Sequence, residues 1–493
     1  MKAPSAQNKI EGLSTKTLRN IFWTGGGAGV RVVMQLIVLA VLARLLTPSD
    51  FGIVAASMLV VGFADIFAMV GVGPAIIQRD SLTEKHIRTG FVMSLCFGLL
   101  ITSLIYSLSF LFEKFFKINN VTEVVKALSL LFAIKSFGVV SEALLMRDLK
   151  FKKLATLDVL SYSFGYAGFS IVLAYMGAGY WALVGGALAQ ASMKSILTFL
   201  MVRHNVRPFI NFTIFKELAH FGAGHSLARL VNFLATQGDY LIVGRLLGSA
   251  SLGLYSRAFR IMQMPTSLYG SIADKVVFSA YSKTQMDKEQ AYRAFERGLS
   301  LTALIGLPLS LILFFLAPNI VISLLGPEWD GVIAPFHVLA ISTYPLLACK
   351  QSGSMLIAQG KIYLFACLQL FYAFLVLVGS LLGAHWGIVG VAVGVSIAVT
   401  LYYLLLTAST IKLIGMNFSE WVLTHKGGFF SMILLGVVCW IGAIVVKVLD
   451  LIPILALFLN AILLSSVAFA AIKLMPEIFL GKNGMWLKRR LRI

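Results

Sequence analysis

The chain has 493 residues, of which 59% are hydrophobic and only 13% are charged, and its mean hydropathy is +0.89. A soluble domain that buries a single core does not have this composition, so a soluble fold is excluded. The formal net charge of +20 would suggest a nucleic-acid partner in a soluble protein, but most basic residues here lie in short connections beside apolar segments. Basic residues so placed indicate contact with membrane lipids, and no nucleic-acid partner is expected.

The apolar segments predict about fourteen transmembrane helices. A spanning helix needs about 20 apolar residues, and in hydrocarbon its backbone polar groups must pair within the segment. The segments lack the alternation of barrel strands, so the expected fold class is an all-α polytopic membrane protein. In chain order the predicted spans are 20–45, 51–77, 90–112, 122–146, 154–176, 181–202, 217–246, 252–280, 298–317, 332–349, 362–382, 387–408, 427–447 and 453–474.

Lys and Arg residues mark alternate connections of this predicted topology. The connections assigned to the cytoplasmic side, together with both termini, hold 27 of the 41 Lys and Arg residues. The connections assigned to the other side hold two, Lys114 and Lys117. Because basic residues concentrate on the cytoplasmic side, both termini are expected to be cytoplasmic.

An internal repeat divides the chain. ARLLTPSDFG at 43–52 aligns with GRLLGSASLG at 244–253, and the GAG at 27–29 is echoed at 222–224. Both longer blocks lie where the first predicted helix of a half gives way to the second. Parallel repeats of this kind are found in transporters that work by alternating access, so two six-helix lobes are expected. The predicted divisions are an N-terminal lobe at 1–203, a C-terminal lobe at 204–408, and helices 13 and 14 with a basic tail at 409–493.

Four of the arginines inside predicted spans are candidate functional residues, because a charge there costs at least about 2.5 to 3.5 kcal/mol unless it faces a cavity or a partner. Arg31 and Arg229 fall near the middle of corresponding helices of the two halves. Arg257 and Arg260, spaced i, i+3, share one helix face. Guanidinium groups bind phosphate oxygens in a bidentate manner, so these residues are candidates for a cationic, phosphate-binding cavity. The alternative is an ion pair or a side chain that reaches an interface.

Lysines and carboxylates in the spans give two further expectations. Lys135 is another candidate for the cationic cavity, although Glu142, two turns along the same helix, could neutralise it through water. Lys194 could reach the inner surface. A membrane carboxylate can carry a coupling proton or Na⁺, or form a salt bridge, and the sequence does not select the ion. The candidate carboxylates are Asp65, Glu142, Asp158 and Asp239.

Three blocks of sequence carry a resemblance to a known family. They are VLARLLTPSDFGIVAAS at 41–57 with GVGPAIIQRD at 71–80, LIVGRLLGSASLGLYSRAFRIMQMP at 241–265, and LLGPEWDGVIAPFHVLA at 324–340. Over essentially its whole length the chain resembles Wzx-type polysaccharide exporters of the MOP flippase superfamily, in particular the colanic-acid type. The fourteen-helix, two-lobe plan is shared with drug exporters and peptidoglycan-precursor flippases of that superfamily.

The resemblance implies a flippase of the bacterial inner membrane, which moves an undecaprenyl-diphosphate-linked oligosaccharide from the cytoplasmic to the periplasmic leaflet by alternating access. It also implies a monomer that works with a polymerase and a co-polymerase of the same pathway. Two alternatives stay open. A multidrug exporter would need acidic residues in its cavity, whereas this chain is basic. A membrane-embedded polymerase or glycosyltransferase would need a larger extramembrane surface or an acidic, metal-binding cluster.

Motifs for enzyme chemistry are absent from the sequence. It has no zinc-type Cys/His cluster, no Walker-type phosphate loop and no GxSxG. We therefore expect a transporter without a cofactor, apart from coupling to an H⁺ or Na⁺ gradient.

Overall fold

The computed structural model describes residues 29, 31–68, 72–79, 81–282, 287–449, 452–476 and 478–479. Regular secondary structure in these residues is helical throughout, as expected for an all-α protein. Within them, ten helical segments are long and apolar enough to cross a membrane, and some of these contain more than one predicted span. The chain is a multi-pass membrane protein.

The chain divides into two compact units, Met1–Phe233 and Leu234–Ile493. In the first unit α5 lies at the centre, because it packs against α2, α3, α4 and α8. A π-helical segment, Ser161–Gly168, continues α6 into α7 so that the two form one span. The helices of this unit are α1 at 31–45, α2 Pro48–Ala68, α3 Val72–Gln78, α4 Glu84–Phe116, α5 Val121–Arg147, α6 Phe151–Leu160, α7 Phe169–Tyr175 and α8 Tyr180–Met201.

The span predicted at 51–77 is described in two parts. They are α2, described as far as Ala68, and α3, Val72–Gln78, which contains Pro74. Residues 69–71 lie outside the described part of the chain.

Helix α9, Phe212–Ser282, consists of two antiparallel helices joined at Gly248, whose φ of 82° is outside the helical region. Tyr255 donates a hydrogen bond of 2.8 Å from its hydroxyl to Oδ2 of Asp239. In a continuous helix these residues would be about 24 Å apart, so the chain must reverse between them. The hairpin agrees with the two spans predicted at 217–246 and 252–280.

The internal repeat therefore forms equivalent connections in the two units. In the first unit α1 and α2 meet at a tight turn, where the Thr47 hydroxyl donates to Oδ2 of Asp50 at 2.7 Å. In the second unit the aligned block contains the reversal at Gly248. A positive φ of this size favours glycine, which explains the residue at this point of the second copy.

In the second unit α10 packs against α13 and α17, and α14 packs against α15. Asp287 caps α10 by accepting hydrogen bonds from the backbone N–H groups of Glu289 and Gln290, so this helix begins well before the predicted span at 298–317. The span predicted at 332–349 likewise lies within the longer pair α12 and α13. The helices after α9 are α10 Lys288–Phe315, α11 Ala317–Leu324, α12 Ile333–Ile341, α13 Thr343–Ala358, α14 Ile362–Gly383, α15 Gly387–Ile414, α16 Phe418–Thr424, α17 Lys426–Val448 and α18 Pro453–Leu474.

Helices α14 and α15 approach each other through glycines. A Cβ atom added to Gly383 would meet the carbonyl oxygen of Gly390, and one added to Gly379 would lie 2.8 Å from the carbonyl oxygen of Gly394. Small residues allow helix backbones to come this close in a membrane.

Candidate functional site

Lys135 forms an ion pair within the first unit. Its Nζ atom lies 3.2 Å from Oδ2 of Asp65, which joins α5 to α2. The sequence suggested Glu142 as the neutralising residue, but Glu142 is seven residues along the same helix, an axial separation of about 10 Å. The partner that the structure provides comes from another helix, and the positive charge of Lys135 is balanced one to one.

Lys194 of α8 binds two carboxylates. Its Nζ atom lies 2.9 Å from Oε1 of Glu142 in α5 and 3.0 Å from Oδ1 of Asp158 in α6. The three side chains are each about one third exposed. Two carboxylates therefore share one ammonium, which leaves the trio with one surplus negative charge when all three groups are ionised.

The π-helical segment adjoins this trio. The Ser161 hydroxyl at its first residue donates to the carbonyl oxygen of Asp158 at 3.2 Å. Gly165, inside the segment, approaches the backbone of Gln190, so α8 passes close by one turn before Lys194. Wide helical turns of this type are frequent at functional sites, and here the segment brings α6 against α8 where the ion pair forms.

Unlike Lys135 and Lys194, Arg31 and Arg229 form no ion pair with a described carboxylate. Arg31 is exposed near the start of the described part of α1, and Arg229 is half-buried in α9. Within the residues that the structure describes, neither has a carboxylate oxygen within 4.0 Å. These two cations are therefore not neutralised by any described acid.

Arg257 and Arg260 lie in the second half of α9, in the other unit. Arg257 is half-buried, whereas Arg260 is exposed, and their i, i+3 spacing places them on one side of the helix. The helix continues through both residues, and their role in binding stays a prediction.

Asp239 differs from the other three candidate carboxylates. It is 1% exposed, and its Oδ2 accepts a hydrogen bond from Tyr255, which is itself fully buried. Its Oδ1 atom has no hydrogen-bond partner among the described residues, and none of their Lys or Arg side chains lies within 4.0 Å. Asp65, Glu142 and Asp158 each bind a lysine, whereas Asp239 binds a phenol.

A buried polar network in the second unit was not identified from the sequence. Nε2 of His425 contacts the hydroxyls of Tyr344 and Tyr403, the latter at 3.1 Å. Nearby, Gln351 accepts a hydrogen bond of 2.6 Å from Tyr281. These contacts tie the start of α17 to α13 and α15. Their only sequence signal is the presence of polar residues inside apolar segments, which does not reveal partners.

A metal site is not apparent in the part of the chain that the structure describes. It contains no group of three or more His, Cys, Asp or Glu residues that could hold a metal ion. The chemistry available to the described charged groups is therefore ion pairing, proton exchange and the binding of anions by arginine.

The chain matches the protein-family model described as "Polysaccharide biosynthesis protein" over residues 41–334. Among curated relatives, the lipopolysaccharide biosynthesis protein WzxC of Escherichia coli (strain K12) is 24% identical, over 88% of this chain and 89% of the relative. The teichuronic acid biosynthesis protein TuaB of Bacillus subtilis (strain 168) is 27% identical, over 74% of this chain and 77% of the relative.

Among solved structures, the lipid II flippase MurJ in an inward closed conformation has a TM-score of 0.69. It is 14% identical, and the match covers 93% of this chain and 98% of that one. An inward-facing multidrug resistance MATE family transporter of the MOP superfamily has a TM-score of 0.60 at 16% identity, over 81% of this chain and 94% of that one. At these identities the likeness shows that this chain shares the fold of these two transporters.

Proposed function

The chain belongs to the polysaccharide biosynthesis protein family, and we propose that it is a flippase for an undecaprenyl-diphosphate-linked oligosaccharide. The observation that carries this proposal is the family match together with relatives that are named for polysaccharide biosynthesis. The transport step would run from the cytoplasmic to the periplasmic leaflet of a bacterial inner membrane, with both termini in the cytoplasm.

A diphosphate headgroup cannot enter hydrocarbon without compensation of its charge, because moving an ion into a low-dielectric medium costs many kcal/mol. Arg31 and Arg229 carry positive charge that no described carboxylate neutralises. We assign them, with Arg257 and Arg260, to binding the diphosphate. Lys135 could take part only after its ion pair with Asp65 opens, so we place it second to the arginines.

The energy for directional transport would come from an ion gradient. Of the four candidate carboxylates, we place Glu142 and Asp158 first as ion-coupling residues, because they share Lys194 and one negative charge stays uncompensated when all three groups are ionised. The one-to-one pair of Asp65 with Lys135 has no such surplus, and Asp239 is buried away from solvent.

The multidrug-exporter alternative has weaker support, because the likeness to the MATE transporter concerns the fold, whereas the sequence relatives described above are polysaccharide proteins. A membrane-embedded polymerase or glycosyltransferase has no support from these comparisons. A monomer, working with a polymerase and a co-polymerase, is the arrangement that we propose for the pathway.

The proposal is tested by following the movement of a fluorescent lipid-linked oligosaccharide in inverted membrane vesicles. Arg31→Ala and Arg229→Ala are expected to lower the rate at least about tenfold, since each removes a charge-assisted hydrogen bond to phosphate. Arg293→Ala is the matched control, because Arg293 is exposed and pairs with Glu289 one turn away. Wild-type rates in both Arg31→Ala and Arg229→Ala would contradict the assignment of these arginines to diphosphate binding. A wild-type chain that moves no lipid-linked oligosaccharide would contradict the proposed function itself.

A further inference from the structure

The segment between α8 and α9 has no regular secondary structure, yet it is fixed to the start of α4. Nε of Arg88 donates to the carbonyl oxygen of Arg207 at 2.9 Å, and its guanidinium lies 5.1 Å from the centroid of the Phe209 ring. Nδ2 of Asn205 donates to Oε1 of Glu84 at 2.7 Å. We name residues 202–212, which end at the first residue of α9, the strap.

Further contacts hold the same side of the strap against the unit. The His204 ring packs edge-on against Phe91 and Phe199, with centroid distances of 5.0 and 5.4 Å. The backbone N–H of Asn211 donates to Oγ1 of Thr89 at 3.4 Å. A segment anchored at this many points presents its remaining side chains in a defined direction.

Those remaining side chains are large and apolar. Phe212 is 77% exposed, Ile210 is 63% exposed, and Val206 is also exposed. Such a cluster is unfavourable in water. In the boundary between lipid headgroups and acyl chains, the same side chains insert by several ångströms and are stabilised.

Basic residues alternate with these apolar side chains. Arg203, Arg207 and Lys216 are exposed, and among the residues described by the structure none of the three has a carboxylate within 4.0 Å. The strap also lies at the edge where α4 begins and α8 ends, which is the side assigned to the cytoplasm by the distribution of basic residues. Unpaired cations beside inserted apolar groups match a net-negative headgroup better than a zwitterionic one.

We propose that the strap is a binding surface for anionic phospholipids of the inner leaflet. Ile210 and Phe212 enter the acyl-chain region. Arg203 and Arg207 contact the phosphates, together with Lys216, which lies just beyond the strap in α9. This interaction is separate from transport and does not rest on the proposed function. It anchors the connection between α8 and α9 to the membrane surface.

The test uses the purified full-length chain in vesicles of phosphatidylethanolamine and phosphatidylglycerol, without any lipid-linked glycan. Phe212 is replaced by the photo-crosslinking residue p-benzoylphenylalanine, and the adducts are identified by mass spectrometry. The matched control is the same replacement at Tyr175, which is 84% exposed in a stretch, 154–193, that has no Lys or Arg. Position 212 is expected to capture phosphatidylglycerol at least about threefold more, relative to its abundance, than position 175.

Combining Arg203→Gln, Arg207→Gln and Lys216→Gln should remove this preference while lipid adducts persist. Inorganic phosphate at millimolar concentration should not displace the lipid. Adducts that mirror the bulk lipid composition, adducts to another protein, or the absence of lipid adducts would each overturn the proposal. Native mass spectrometry of the chain without the crosslinker provides a second readout, in which wild type retains more phosphatidylglycerol than the triple variant.

Discussion

The ammonium of Lys135 lies 3.2 Å from the carboxylate of Asp65, and this pair joins the central helix α5 of the first unit to α2. Lys135 was expected to bind substrate, but the structure shows it in an ion pair. The structural role and the substrate-binding role make different predictions. If Lys135 only stabilises the fold, replacing both members of the pair should preserve function, whereas a lysine that binds substrate cannot be replaced without loss of transport.

Removing both members of this pair should be less harmful than removing one. Lys135→Met leaves Asp65 without its cation and should lower the melting temperature in detergent. Lys135→Met combined with Asp65→Leu should recover most of that loss. The coupling free energy should be about 1 kcal/mol, because both side chains are partly exposed and water screens the pair. If Lys135→Met abolishes polysaccharide export at unchanged stability, and the double variant does not restore it, Lys135 instead acts on the substrate.

Lys194 should be more sensitive to substitution than Lys135. Lys194→Met leaves Glu142 and Asp158 with no shared cation, and their mutual repulsion should lower stability by roughly 1 to 3 kcal/mol after allowance for their exposure. Lys194→Arg keeps the charge and should retain most of the stability. Thermal unfolding followed by fluorescence measures both effects.

A second substitution tests the shared-charge arrangement. Adding Glu142→Gln to Lys194→Met removes one of the two repelling carboxylates, so the double variant should be more stable than Lys194→Met alone. Equal or lower stability of the double variant would show that repulsion between the carboxylates is not the cause.

The sequence was sufficient for the features that depend on local pattern. Apolar length predicted the all-α, multi-pass membrane fold, and the internal repeat located the connections at 47–50 and at Gly248. The partners of the charged residues could not be found in this way. Asp65 lies 70 positions from Lys135, and Glu142 lies 52 positions from Lys194, so their contacts depend on which helix faces pack together. Spacing along one helix cannot supply that information.

Tyr255 and Asp239 should also behave as a unit. Tyr255→Phe removes the side-chain donor to Oδ2 of Asp239, and burial of the less satisfied carboxyl group should cost roughly 1 to 3 kcal/mol. Combining Tyr255→Phe with Asp239→Leu leaves no polar group to satisfy and should be closer to wild type. A chemical unfolding series of the wild type, the single variant and the double variant measures the difference. An equal loss of unfolding free energy in the single and double variants would show that altered packing, and not the less satisfied carboxyl group, destabilises the protein.

The crossing of α14 and α15 should not tolerate a methyl group. Gly383→Ala places a Cβ against the carbonyl oxygen of Gly390, and the helices must separate to accept it, at a cost of about 1 to 3 kcal/mol. Gly168→Ala is the matched control, because the nearest atom to its new Cβ would lie at 3.5 Å, an ordinary contact distance. Melting temperatures of the two variants give the comparison, and an equal decrease in both would argue against the close crossing.

His204 should make the attachment of the strap dependent on pH. Burial against aromatic rings lowers the pKa of His204 below its usual 6.5, and a backbone hydrogen bond to Asn205 opposes this only in part. The unfolded chain therefore takes up a proton as the pH falls through 6.5, whereas the folded strap does so only at lower pH. The contribution of this group to stability is unaffected well above pH 6.5, declines as the pH falls below it, and levels off below the folded pKa.

The variant His204→Phe keeps an aromatic ring against Phe91 but removes the titration. Its melting temperature should fall less than that of the wild type when the pH is lowered from 7.5 to 5 (values chosen to lie on either side of about 6.5). Hydrogen–deuterium exchange, corrected for the intrinsic effect of pH, should show the strap opening at pH 5 in the wild type and staying closed in the variant. Parallel responses of the two proteins would mean that protonation of other groups controls the strap, since a neutral ring cannot respond to acid.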